Sequence, residues 1–79
     1  MPELKILSGN QIIKILTKFG FSIERQKGSH VKLQRTVDGS RQTLTIPRHQ
    51  ELDKGTIKAI YNQARQYVAE GELKKHCYA

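Results

Sequence analysis

Apolar residues fall into two regimes along the chain, one at helical spacing and one alternating. Ile12, Ile13, Leu16 and Phe19 recur as one stripe of a helix, with Lys14, Thr17 and Lys18 turned outward. Ser8 followed by Gln11 has the spacing of a capping box, in which each side chain satisfies the other residue's free N–H at the helix start. Gly20 supplies the stop. From Phe21 the period drops to two, and residues 21–26, 29–35 and 41–46 read as strands. Val37-Asp38-Gly39-Ser40 joins the last two, and an Asp-Gly pair between alternating runs is a hairpin signal. Phe21, Ile23, Val31, Leu33, Leu44 and Ile46 are expected on the inner face of this antiparallel sheet. Ser22, Glu24, Gln26, His30, Lys32, Gln34, Arg41, Thr43 and Thr45 are expected on the outer one.

Pro47 ends the third strand, and an irregular stretch runs through Asp53. Ile57, Ile60, Tyr61, Ala64, Tyr67 and Val68 then mark a second amphipathic helix that closes at Gly71. Residues 73–79 show no period and read as a tail, with Leu73 or Tyr78 as the residues that would tuck back. The order is α-β-β-β-α, an α+β fold in which both helices cover one face of a three-stranded antiparallel sheet, since neither stripe can be buried alone.

The chemistry concentrates in Arg25-Gln26-Lys27-Gly28-Ser29-His30-Val31-Lys32-Leu33. Gly28 is a turn residue between two alternating runs, so His30 falls at the start of the second strand, on the solvent side. The neighbouring cations Arg25, Lys27 and Lys32 disfavour a further positive charge, which suits an imidazole that accepts a proton. A lone surface histidine carries no function by itself; the glycine turn, the Ser29 hydroxyl and the cations single this one out. Lys54 and Lys58 lie four apart beside the helix start at Gly55 and Thr56, an arrangement that can receive a phosphate, or simply a solvated lysine face. Arg48 and His49, in the preceding loop, are candidates for the same basic surface, and His49 for a second titrating group.

With 79 residues and no repeat, the chain is expected to be one domain over 1–79, with a core at about 6–70 and a tail at 71–79. A formal charge of +7 and a pI near 9.9 point to a polyanionic partner, nucleic acid or an acidic protein. No apolar run is long enough to span a bilayer, and Met1-Pro2-Glu3-Leu4 lacks the features of a secretory signal, so a cytoplasmic protein is expected. The single Cys77 cannot form an internal disulfide, fits a reducing compartment, and is expected to be exposed near the chain end. With His76 it makes an incomplete metal pair, and neither a metal site nor a cofactor is expected.

Gly20-Phe21, Arg25 to His30, Ile46-Pro47-Arg48-His49 and Lys54-Gly55-Thr56-Ile57-Lys58-Ala59-Ile60, in that order, resemble the HicA (YcfA-like) toxins of bacterial type II toxin-antitoxin systems from about Ile6 to Val68. The resemblance implies a double-stranded-RNA-binding-like fold, an mRNA interferase that cuts messenger RNA, and a HicB-type antitoxin that binds and silences it. The family's essential histidine falls on His30. The tail His76-Cys77-Tyr78 follows where shorter relatives have little. A metal-free ribonuclease can use the substrate's 2′-hydroxyl as nucleophile, so it needs a base and cations to steady the phosphate. His30 fits the base, Lys27 and Lys32 the charge, and Gly28 and Ser29 a close approach to phosphate. The proton donor to the leaving 5′-oxygen stays open between His30 itself and His49. Carboxylates of the kind that hold Mg²⁺ are scarce near the motif, Glu24 being the one close by. Two rival readings keep the same residues: an RNA-binding module without chemistry, and a basic surface that docks an acidic protein. An antitoxin would be expected to cover the polar sheet face and His30.

Overall fold

The computed structural model describes residues 3–78, so the expectations that involve Met1, Pro2 and Ala79 lie outside the described residues. The elements are α1 (Gly9–Lys18), β1 (Ser22–Lys27), β2 (His30–Val37), β3 (Ser40–Pro47), α2 (Lys54–Ala64) and α3 (Glu70–Cys77). The strands form one antiparallel sheet in the order β1-β2-β3. Its two tight turns follow their sequences. Asp38 (φ 50) and Gly39 (φ 79) are both left-handed, as in a type I′ turn, whereas in the Gly28-Ser29 turn only Gly28 is (φ 60), the glycine-first pattern of type II′.

The capping box at α1 forms as its spacing predicts: Ser8 Oγ accepts from the Gln11 N–H at 3.1 Å, and Gln11 Oε1 accepts from the Ser8 N–H at 2.8 Å. Such a cap contributes about 1 kcal/mol. Gly20, at φ 94, turns the chain from α1 into the sheet. Ile12, Ile13 and Leu16 of α1, Ile57, Ile60 and Ala64 of α2, and the inward side chains Val31, Leu33, Leu44 and Ile46 share one buried core with Phe21. Both helices thus cover one face of the sheet. The other face is open, with His30, Arg41 and Thr45 exposed.

Arg35 sits at the inner end of β2 and joins three segments. Its Nη1 donates to the Phe19 carbonyl at 2.7 Å, its Nη2 to the Tyr67 carbonyl and its Nε to Gln42 Oε1, while the guanidinium stacks 5.0 Å from the Phe21 ring centroid. The bonds to Phe19 and Tyr67 are charge-assisted bonds to backbone carbonyls beyond the ends of α1 and α2, positions where a cation is favoured.

Three sequence expectations are corrected. The second helix stops at Ala64, not Gly71, and residues 70–77 form a third helix in place of a loose tail. Leu73 and Cys77, four apart on α3, are buried against Ile12, Ile15 and Leu16 of α1 and Ile57 and Ile60 of α2. Cys77 is 6% exposed, and burial pushes its thiol pKa up from the ordinary value. Tyr61 ties α2 to α3 by donating its hydroxyl proton to Glu70 Oε2 at 3.0 Å; burial first, and that carboxylate second, push its phenol up to about 12. Ile23 lies on the helix-facing side, opposite Leu33, but is half exposed (50%) because it sits on the edge strand. Among the described residues, no helix is long and apolar enough to cross a membrane.

Candidate active site

The β1–β2 ladder slips by one residue next to the histidine. Ile23 faces Leu33 and Arg25 faces Lys32, which leaves Glu24 as an extra residue. A bulge of this kind resets the phase of everything that follows it on the strand. Strict alternation from Ile23 would send Arg25 and Lys27 toward the helices and Gln26 toward solvent. Instead Arg25 stands opposite Lys32 and Lys27 opposite His30, so the four share the open face, while Gln26, opposite Val31, turns to the helix side. Glu24 remains on the open face, with Oε2 3.7 Å from Lys32 Nζ.

Arg25, Lys27, His30, Lys32 and Thr45 line one open cleft. Thr45 arrives from β3, where it faces Lys32. The imidazole of His30 is exposed, at the first position after the turn. Ser29 is half-buried beside it. A β-carbon on Gly28 would meet nothing within 4 Å, so the glycine is required by its φ of 60 and not by crowding, and its outer side is free for a ligand to approach.

The other candidates lie elsewhere. Arg48 points to the helix side: its Nε donates to Asn10 Oδ1 and its Nη1 to Gln26 Oε1, each at 2.7 Å. His49 is exposed in the loop after β3, its carbonyl accepting from the Gly9 N–H at 2.9 Å, and it does not line the cleft. Lys54 opens onto a hollow beside Leu4 and Lys5, and Lys58 onto one beside Lys74 and Tyr78. The start of α2 is already capped by an anion, since Asp53 Oδ1 accepts from the Thr56 N–H at 3.2 Å. Those hydrogen bonds from Thr56 hold the Asp53 carboxyl below its ordinary value. The Thr56 amide, one of the two that the sequence offered to a phosphate, is therefore already occupied.

The structure adds residues that sequence reasoning did not assign to the site. Thr45 was visible only as an outer-face position, and Glu24 only as a nearby carboxylate. Nothing local pairs Asn10 or Gln26 with Arg48, because 38 and 22 residues separate them. Among the described residues, no group of three or more His, Cys, Asp and Glu side chains is placed to hold a metal ion.

Sheet, helices and cleft define a class: a small α+β domain that presents an imidazole among cations on an uncovered sheet face. Residues 9–66 match the family described as the HicA toxin of bacterial toxin-antitoxin systems, and the chain belongs to that family. The matched span takes in α1, the whole sheet and α2, while α3 follows it. No curated protein and no solved structure gives a significant match to the chain.

Proposed function

We propose that this HicA-family toxin is a metal-independent endoribonuclease that cuts messenger RNA in the bacterial cytoplasm at the His30 cleft. The reading is carried by one observation: the Glu24 bulge gathers Arg25, Lys27 and Lys32 around an exposed imidazole on a face that no helix covers. His30 takes the proton of a substrate 2′-hydroxyl, whose oxygen attacks the adjacent phosphorus. The P–O bond to the 5′-oxygen breaks, and that oxygen leaves with the proton that His30 took up, giving a 2′,3′-cyclic phosphate and a 5′-hydroxyl end. Arg25, Lys27 and Lys32 supply positive charge where the phosphorane gains negative charge, and the cleft mouth at Gly28 admits the backbone closely. A HicB-type antitoxin silences the toxin by covering this open face, and alanine at Lys32 or Arg41 is expected to weaken that complex.

The test is cleavage of single-stranded RNA by wild type and His30→Ala, with and without EDTA. Wild-type cutting that persists in chelator, with turnover lowered roughly 10² to 10⁴-fold in the variant at nearly unchanged RNA affinity, supports the assignment. Full activity in His30→Ala, or loss of wild-type activity in EDTA, overturns it. Binding without any fragments would leave an RNA-binding module, the rival reading.

A further inference from the structure

We propose that Arg48 is a positioning residue: it braces the Gly28-Ser29 turn from behind and so fixes where His30 stands on the open face. The inference rests on the proposed role of His30, and it departs from the sequence expectation that Arg48 contacts RNA.

Three tethers converge on the turn. The Arg48 N–H donates to the Ser29 carbonyl at 2.6 Å, extending the β2–β3 ladder one step past the His30–Pro47 pair into the turn itself. The guanidinium Nη1 donates to Gln26 Oε1 at 2.7 Å, and the Gln26 amide in turn donates to the Gly28 carbonyl at 3.0 Å. The guanidinium Nε donates to Asn10 Oδ1 at 2.7 Å, which anchors the assembly to the first turn of α1. Both turn carbonyls are thereby held, one by backbone and one by side chain. A two-residue turn on an edge hairpin would otherwise be among the looser parts of such a sheet.

The bulge makes this arrangement available, since only after Glu24 resets the phase does Gln26 turn to the side where Arg48 and Asn10 lie. One extra residue therefore delivers the cations to one face and the brace to the other. A guanidinium suits the task because its planar fork directs two N–H donors to two fixed acceptors, which a single ammonium does less well.

Variants at Asn10 and Gln26, which leave the charge unchanged, separate bracing from RNA contact when set beside one at Arg48, which removes a cation. Asn10→Ala, Gln26→Ala and Arg48→Met are compared for kcat and KM on single-stranded RNA, and for exchange of the backbone amide of residue 48, which is bonded to the Ser29 carbonyl, in the free protein. The bonded side chains are on the surface, and denaturant melts verify that each variant folds. All three are expected to lower kcat about 10- to 100-fold with KM within about twofold, and to speed this exchange by about tenfold. Asn10→Asp keeps the acceptor for Arg48 and is expected to restore both readouts. If Arg48 instead touches the phosphate backbone, Arg48→Met raises KM and flattens the salt dependence of binding by roughly 0.7 of a log unit per log unit of salt. In that case Asn10→Ala and Gln26→Ala change nothing, and the brace is refuted. Should wild type not cut RNA at all, the nuclease proposal fails, and unchanged exchange in the three variants would independently refute the brace.

Discussion

Gly9 lies with its backbone directly against Pro47: a β-carbon on Gly9 would stand 2.1 Å from the Pro47 carbonyl oxygen and 2.7 Å from the Arg48 Cα. Pro47 is also the β3 partner of His30, so the first turn of α1 is seated on the strand that backs the cleft. No real contact is that short, and backbone on the other side cannot swing away. Gly9→Ala is expected to cost roughly 3 kcal/mol, read as a lower denaturant midpoint. Wild-type stability in that variant would show that α1 is free to slide along β3.

Lysines inside and outside the cleft should differ in salt response. Lys27→Ala and Lys32→Ala are each expected to reduce the log–log slope of RNA affinity against salt by roughly 0.7. Lys58→Ala, whose side chain opens toward Lys74 and Tyr78, is expected to leave the slope alone. Equal effects at Lys32 and Lys58 would point to diffuse charge attraction over the whole surface.

Glu24 is the carboxylate that offsets one cleft cation, through its 3.7 Å contact with Lys32. Glu24→Gln keeps the bulge and releases Lys32 to the phosphate. RNA binding at low salt should tighten about twofold to fivefold, the range expected for one exposed ion pair. Weaker binding would mean that the carboxylate orients Lys32 productively.

These features set the limits of what was legible in the sequence. The capped α1, the Asp38-Gly39 and Gly28-Ser29 turns and the exposed His30 follow from local rules, and all are visible within a few residues of where they occur. The Glu24 bulge is a matter of strand pairing, and no residue type announces it. It exchanges the faces of Arg25, Gln26 and Lys27, so alternation alone could not place Arg25 and Lys27 on the face of His30. Arg48, His49, Lys54 and Lys58 were grouped by charge and order along the chain, which do not give direction. The α3 segment was missed because eight residues carrying one apolar pair, Leu73 and Cys77, are too few to establish a period.

Arg35 concentrates three hydrogen bonds and a ring contact in one side chain. Arg35→Met retains the stem but leaves the Phe19 and Tyr67 carbonyls without this donor. A loss of about 2–4 kcal/mol is expected by chemical denaturation, and a near-neutral result would show that water replaces the guanidinium there.

Cys77 offers a pH test of α3. Its thiol pKa is raised in the folded chain, so the unfolded chain gives up its proton first as pH increases. The stabilisation this provides is fully present below the ordinary thiol value of 9.0 and is lost as pH climbs from there through the raised folded value. In native protein a thiol reagent should label Cys77 only as fast as α3 opens, and labelling as rapid as in denaturant would place the sulfur at the surface.

The helix layer has a practical corollary for anyone trimming this toxin to its recognisable part. A fragment ending at residue 66 would shed the lid over Ile12, Leu16, Ile57 and Ile60, and those side chains would become a sticky, water-facing patch. Such a fragment is apt to clump, and its failure in an RNA assay would then report on colloidal behaviour and say nothing about the histidine.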